Sequence, residues 1–373
     1  MSINPPTRVT ARSSAPKIDA FVHDPELSDP GYEPPRSASE VLHKLDTLIR
    51  QGDIGTLVPL STGFQPLDKY LAGGIGAGDL VLVGGAPGTG KTTLTLQMAR
   101  NLVTHSQCVC GFICFEHSEE YLLQRLISLE SLMATGNTKN FNGVPLVQIR
   151  DAIVSAGRSG GLLGEAGLSG VLRELPGAAQ SLARIQTFGQ RLFLLKGSPS
   201  ATDTTTIAEQ VRRWKDQYGP RVVMFIDYLQ KMPVFPPAVD EEDRVTQIAD
   251  SLKDLALRES IPIVAVVAAD REGLQAQRLR IHHLRGSSSL MYEADVVLML
   301  NNKYRIVNKN AIAFNYHRAQ DMRNWVVITI EKNRAGRAMI DLEFRAHFSY
   351  AAFDPVGDVS TDQLVDERID VAE

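Results

Sequence analysis

The sequence is short of several features that usually announce a function. It holds three cysteines in 373 residues, Cys108, Cys110 and Cys114, all inside QCVCGFICFE. No second cluster stands at ligand spacing from them, which argues against a zinc site. The three share parity, so on a strand they point to one face and read as small core residues in a reducing compartment. No apolar run approaches the roughly 18 residues of a membrane span. The opening MSINPPTRVTARSSAPK has no hydrophobic segment of the secretory kind, so a cytoplasmic protein without membrane contact is expected. Neither sign of charge dominates: 39 Lys and Arg against 43 Asp and Glu leave a net charge of −4. Nucleic-acid binding would therefore have to be a local patch or groove. No internal repeat is evident.

What is present has the organisation of an α/β protein. Residues 1–36 contain seven prolines and almost no apolar periodicity, and are expected to form a disordered arm. Ser37 and Glu40 then make an S-x-x-E capping box, followed by Val41, Leu42, Leu45, Leu48 and Ile49 on one helical face, with Gly52 as the stop. From Leu80 onward, strand-like runs alternate with helical patterns. The expected strands are 80–85, 109–115, 191–195, 222–227, 261–269, 294–300 and 325–330, apolar enough to be covered on both faces. Expected helices at 204–219 and 243–260 place Ile207, Val211 and Trp214, and Val245, Ile248, Leu252 and Leu255, on single faces. Residues 133–190, rich in glycine yet studded with leucine, read as an insertion. Residues 301–324 read as a β-hairpin or a basic loop, and 354–373 as an acidic, disordered tail.

The strongest chemical signal is GAPGTGKT, residues 85–92, in a strand–loop–helix context. Gly85, Ala86, Pro87, Gly88, Thr89, Gly90, Lys91, Thr92 and the following Thr93 are the nucleotide-binding candidates. Glycines let successive N–H groups turn toward phosphate oxygens, and the helix N-terminus adds partial positive charge. Lys91 would reach the β- and γ-phosphates of ATP, and Thr92 would coordinate Mg²⁺. VVMFIDYLQ supplies Asp227 at a strand end as the second Mg²⁺-associated group, and FICFEHSEE offers Glu116 to orient an attacking water. Near the end, VVITIEKNRAGR closes a β-branched run with Lys332 and Arg334. On the residues alone, a solvated strand end and a functional pair both stay open.

Residues 61–99, FIDYLQKM, RVTQIADSLKDLALRESIPIVAVV and LRGSSSLMYEADVVLML resemble, in order, the RecA-like ATPase domain of DnaB-type replicative helicases. The resemblance spans about residues 60–353 and implies a RecA-like P-loop NTPase fold, with a mostly parallel central sheet and helices on both faces. It implies a homo-oligomeric ring, a hexamer, that couples ATP hydrolysis to movement along single-stranded DNA. Lys91, Thr92, Glu116 and Asp227 match the family's residues on one subunit. Lys332 and Arg334 match a K-x-R motif supplied by the neighbour, where a trans arginine stabilises the transferring phosphoryl group. On the family pattern Arg285, Gly286 and Ser288 line a DNA-contacting pore, with Arg278 and Arg280 nearby candidates on charge alone. Helix 38–51, within a linker over 37–59, resembles in position the family's subunit-docking linker helix.

The departures are specific. Where the family has the glutamine of S-Q-L-N-R, a γ-phosphate sensor, this chain reads VAADR with Ala268. Where its DNA loop reads R-E-S-G, this one reads RGSS. The family's N-terminal helical domain, which recruits primase, has no counterpart ahead of helix 38–51, so a primase contact is not expected. Two other readings compete. KNRAG is similar to the K-N-R-F-G motif of RadA-like recombination ATPases, and Ala268 suits an ATP-dependent oligomeric scaffold that does not translocate.

Overall fold

A computed structural model describes residues 35–134, 143–159, 167–175, 177–307 and 321–365. Residues 1–34 of the expected arm, 308–320 of the basic segment and 366–373 of the expected tail lie outside the described residues. The chain divides into two units, Met1–Leu48 and Ile49–Glu373. The described part of the first, residues 35–48, holds most of α1 (Ala38–Gln51). Ser37 and Glu40 form the capping box reciprocally: Glu40 N–H donates to Ser37 Oγ at 3.2 Å, and Ser37 N–H donates to Glu40 Oε2 at 2.6 Å. Val41, Leu42, Leu45 and Ile49 are exposed on this helix.

The second unit is built on β1 (Leu80–Gly85). Val81 and Val83 enter one apolar cluster and Leu80 and Leu82 another, so a single buried strand feeds two cores. The strands that follow are β2 (Val109–Cys114), β3 (Leu192–Lys196), β4 (Val222–Asp227), β5 (Ile263–Ala268), β6 (Val296–Asn302), β7 (Trp325–Asn333), β8 (Ile340–His347), β9 (Ala352–Phe353) and β10 (Asp358–Val359). The sheet order is β10-β8-β7-β6-β1-β5-β4-β2-β3, with β9 paired to β8. From β6 to β3 every pairing is parallel, whereas β7, β8 and β10 add antiparallel. The three cysteines are free and buried in the first cluster, on the face their parity implies.

Helices α2 (Lys91–His105) and α3 (Glu119–Met133) close that first face with residues such as Leu94, Met98 and Leu102, and Leu122, Leu126 and Leu129. The segment expected to be an insertion is helical: α4 (Leu146–Ser159), α5 (Gly167–Arg173) and α6 (Ala178–Phe188). It shares a small core with α3, made by Ile127, Val144, Ile149, Leu172 and Ala178. On the other face, α7 (Thr204–Tyr218) and α8 (Glu241–Glu259) bury Ile207, Val211 and Trp214, and Val245, Ile248 and Leu252, as their spacing predicts. The short α9 (Ser287–Glu293) leads into β6.

Two expectations need correction. Residues 354–365 are not a free tail: β10 pairs with β8, and Asp362 meets Lys303 at 2.7 Å. Of residues 301–324, the first two close β6 and a helical turn, Lys303–Ile306, follows, so no hairpin or loop starts at 301, while 308–320 lie outside the described residues. Lys303 is buried there against Glu343 at 2.6 Å rather than displayed on a basic loop. No helix among the described residues is long and apolar enough to cross a membrane.

Glu130 on α3 ties the helical insertion to the main core. Its side chain is fully buried and accepts from Arg100 on α2 and from Arg184 Nε on α6, the latter at 2.7 Å. Glu130→Ala leaves the buried Arg100 without its counter-charge and is expected to cost about 3–5 kcal/mol. Arg184→Gln, at the half-exposed end of the network, should cost about 1 kcal/mol or less. Urea titrations of the two variants read the difference.

Candidate active site

The C-terminal ends of β1, β2 and β4 come together because the parallel register puts them level. Cys114 pairs with Asp227, and Gly85 with Ala268. Glu116 therefore leaves β2 beside the end of β4, and the loop after β1 arrives at the same edge. Here a cavity of about 600 Å³ opens, lined by Gly85, Pro87, Gly88, Gly90, Lys91, Thr92 and Thr93. Glu116 and Asp227 line it too. Of the remaining loop candidates, Ala86 supplies a carbonyl to Lys91, and Thr89 is buried with its hydroxyl donating to the Ala86 carbonyl at 2.8 Å.

The loop's shape depends on glycine at two points. Gly85 has φ +154°, and a Cβ there would lie 2.7 Å from the Leu300 carbonyl oxygen of β6. Gly90, with φ +94°, is the residue before α2, and a Cβ would strike Phe348 and Phe353. Lys91 Nζ donates to the carbonyls of Gly85 at 2.7 Å and Ala86 at 3.0 Å. Burial holds its ammonium below the usual lysine range, against the attraction of Asp227 and Glu116. In the same cavity Thr92 Oγ1 donates to Asp227 Oδ2 at 2.7 Å. Asp227 is buried, which pushes its carboxyl above the ordinary range. A hydroxyl and a carboxylate touching near a lysine are hard oxygen donors that fit a Mg²⁺ ion beside nucleotide phosphates.

Sequence reasoning missed Arg125. It lines the cavity from α3, donating to Thr93 Oγ1 at 3.1 Å and to the Tyr121 hydroxyl at 3.0 Å. Its Nε is buried without a hydrogen-bond partner among the described residues. The available signal was position: Arg125 interrupts the buried stripe of Leu122, Leu126 and Leu129.

The other candidates are dispersed. Arg285 lines the cavity rim, and its Nη1 donates to Glu241 Oε1 at 2.9 Å. Gly286 takes φ +77° at the start of α9, close against Val245, and Ser288 is exposed. Arg278 and Arg280 are corrected. Both are buried: Arg278 donates to Asp341 and to Thr329 Oγ1, and Arg280 meets Glu331 at 2.7 Å. Their charges are neutralised inside the protein and present no face to a DNA backbone.

Lys332 and Arg334 are not brought to this cavity. β7 runs antiparallel to β6, so Lys332 lies beside Val297, near the start of β6, while the P-loop end of β1 lies beside Leu300. Three residues of rise and two strand spacings put the cations more than about 10 Å from the loop, at the opposite edge. Burial, then the neighbouring Arg334, lower the Lys332 ammonium. Asn333 faces the other way, buried, with Nδ2 donating to the Tyr70 carbonyl at 2.8 Å.

This fold and cavity define a RecA-like P-loop protein. The family description "DnaB-like helicase C terminal domain" matches residues 59–149 and 174–353, most of the chain, and the chain belongs to that family. Residues 150–173, within the helical insertion, fall between the matched segments. The replicative DNA helicase DnaB of Treponema pallidum is 26% identical over 293 residues, covering 79% of this chain and 56% of the relative. A probable plasmid replicative DNA helicase of Chlamydia psittaci is 24% identical over 304 residues, covering 80% and 56%. The chain thus spans little more than half the length of these two relatives. Among solved structures, one described as an ATPase domain superposes with a TM-score of 0.65 at 21% identity, covering 86% of this chain and 99% of that one. A DnaB-like replicative helicase studied with primase gives 0.62 at 21%, covering 86% and 67%. These two likenesses establish the shared fold.

Asp227 is a buried acid whose charged form is disfavoured by its surroundings. Its raised pKa means the ionised carboxylate costs folding free energy at every pH above that value, a cost that fades as pH falls through it. Asp227→Asn should therefore stabilise the protein at pH 8, without Mg²⁺ or nucleotide, by about 0.5–2 kcal/mol. Thermal melts at pH 8 and pH 4 would show the gain shrinking toward acid.

Proposed function

We propose that this chain is the ATP-hydrolysing motor of a ring-forming, single-stranded-DNA translocase of the DnaB type. One observation carries the reading: the phosphate loop, Thr92–Asp227 and Glu116 share one cavity, while Lys332 and Arg334 stand at the far edge of the same sheet. A single copy holds half of a hydrolytic site at each edge, and two copies side by side would join the halves. Lys91 and the loop amides bind the phosphates, Glu116 orients the attacking water, and Arg334 of one subunit meets the charge developing on the nucleotide of the next. Mg²⁺, held by Thr92 and Asp227, would neutralise phosphate charge. Exposed Arg285 and Ser288, next to Gly286, offer a backbone-contacting loop for DNA. The exposed apolar face of α1 suits docking on a second copy, and the ring is expected to be a hexamer in the cytoplasm.

One observation favours a second reading. Ala268 lines the cavity where the family's relay glutamine stands, and its methyl group cannot hydrogen-bond a phosphate. An ATP-assembled scaffold without translocation would need no such relay.

ATPase rate with and without single-stranded DNA, on protein of measured mass in ATP, separates the two. Stimulation of at least about tenfold supports the motor; an assembled ring with a DNA-independent rate supports the scaffold. Mixing Arg334→Ala with Glu116→Ala protein tests the shared site. Each alone should lose about 10³-fold or more, and mixed oligomers should recover part of the rate. No recovery would mean that Arg334 does not act across an interface.

A further inference from the structure

α9 ends beside the two cations proposed to act on a neighbour, and its last carbonyls accept from them. Lys332 Nζ donates to the Met291 carbonyl and to that of Tyr292, the latter at 3.2 Å. Arg334 Nη2 donates to the Tyr292 carbonyl at 2.7 Å, and Arg334 Nη1 to Asp295 Oδ1 at 3.1 Å. Asp295 is itself tightly held: Oδ2 accepts from Leu80 N–H at 2.8 Å and from Lys253 Nζ at 2.6 Å. The backbone closes the arrangement, with Arg334 N–H donating to the Asp295 carbonyl at 2.9 Å. The Asp295 side chain is 10% exposed and that of Arg334 52%, so a fixed carboxylate grips a guanidinium that still reaches solvent.

We propose that Asp295 is a positioning residue for hydrolysis in trans: it sets the orientation in which Arg334 meets the phosphate of a neighbouring subunit's nucleotide. The Met291 and Tyr292 carbonyls complete the cradle for Lys332. The proposal rests on the reading of Lys332 and Arg334 as trans cations. Its physical basis is preorganisation. A free arginine gives up its rotamers on reaching a phosphate, whereas one held by an anchored carboxylate has lost them on folding. Guanidinium has five N–H donors in a rigid fork, and Asp295 and Tyr292 engage two. The grip therefore orients the group without saturating it. Asp295 touches no nucleotide; it acts through Arg334.

The test is subunit mixing on the full chain. Asp295→Asn should lower ATP turnover about 10²-fold, the cost of misplacing a reacting group by about 1 Å. Affinity for a fluorescent ATP analogue in its own cavity should be unchanged. Adding Glu116→Ala protein should restore turnover, as it does for Arg334→Ala, and the Asp295→Asn/Arg334→Ala double variant should lose no more than Arg334→Ala alone. Because Asp295→Asn strands the Lys253 ammonium, Asp295→Asn/Lys253→Met carries the same comparison if the single variant does not fold. Absence of rescue in Asp295→Asn mixtures while Arg334→Ala is rescued would overturn the assignment, as would additive loss in the double variant. If Arg334→Ala is itself not rescued, the trans reading fails and the Asp295 assignment falls with it.

Discussion

β7 runs antiparallel to every strand that carries the nucleotide cavity, and that reversal governs how the molecule can work. Had β7 been parallel, its terminal cations would have emerged at the C-terminal edge, beside the P-loop. Its actual direction sets Lys332 against Val297, at the start of β6. The register shifts between Val297 and Leu298, leaving Glu331 of β7 as the extra residue just before Lys332. Strand direction is set by hydrogen bonding along the whole ladder, so no side-chain rotation moves these cations to their own cavity.

Buried charge is placed to serve the two edges and the joint with the insertion. Glu130 gathers Arg100 and Arg184 where the helical insertion meets α3. Glu331 holds Arg280 beneath the strand that ends in the cations, and Asp295 holds Lys253 and Arg334 at the start of β6. Such pairs gain little net stability over apolar packing, but they fix geometry because breaking one strands a charge. Asp227 differs from these acids in its partners. Its pKa is raised, and its carboxylate meets the Thr92 hydroxyl and the weakly interacting Cys114 thiol rather than a paired cation. Burial likewise lifts Cys114 to about 11, with the Asp227 charge adding to it.

The sequence makes the parallel core legible because fully buried strands are continuous apolar runs and the P-loop joins β1 to α2 with its own punctuation. Asp227 and Glu116 are legible as acids closing such runs. β8, not among the expected strands, carries a different signal, since Ile340, Leu342 and Phe344 alternate with Asp341, Glu343 and Arg345 as in a strand that is half wet. The helices of the insertion hide behind glycines such as Gly167 and Gly177, which mark its turns. Arg278 and Arg280 look like free cations in sequence because Asp341 and Glu331 lie far along the chain. A charge's role depends on its partner, and only the folded sheet brings the partner close. Arg125 illustrates the converse: its isolation on an apolar stripe was visible, but the cavity that it faces was not.

Ala268 sits where β5, the candidate DNA loop and the cavity meet. The Ala268 carbonyl accepts from Arg285 N–H at 3.1 Å, and Gln230 accepts from Ala268 N–H at 3.1 Å. The tip of β5 is thus fastened to the loop ahead of α9 through backbone, with Gln230 as the clamp. α9 is seven residues long, about 10 Å of helix, and its far end carries the carbonyls that hold Lys332 and Arg334. The cavity, the candidate DNA loop and the edge cations are therefore joined through one short helix. A hydrogen-bonding side chain at position 268 would add a further contact to that connection, which the Ala268 backbone already makes.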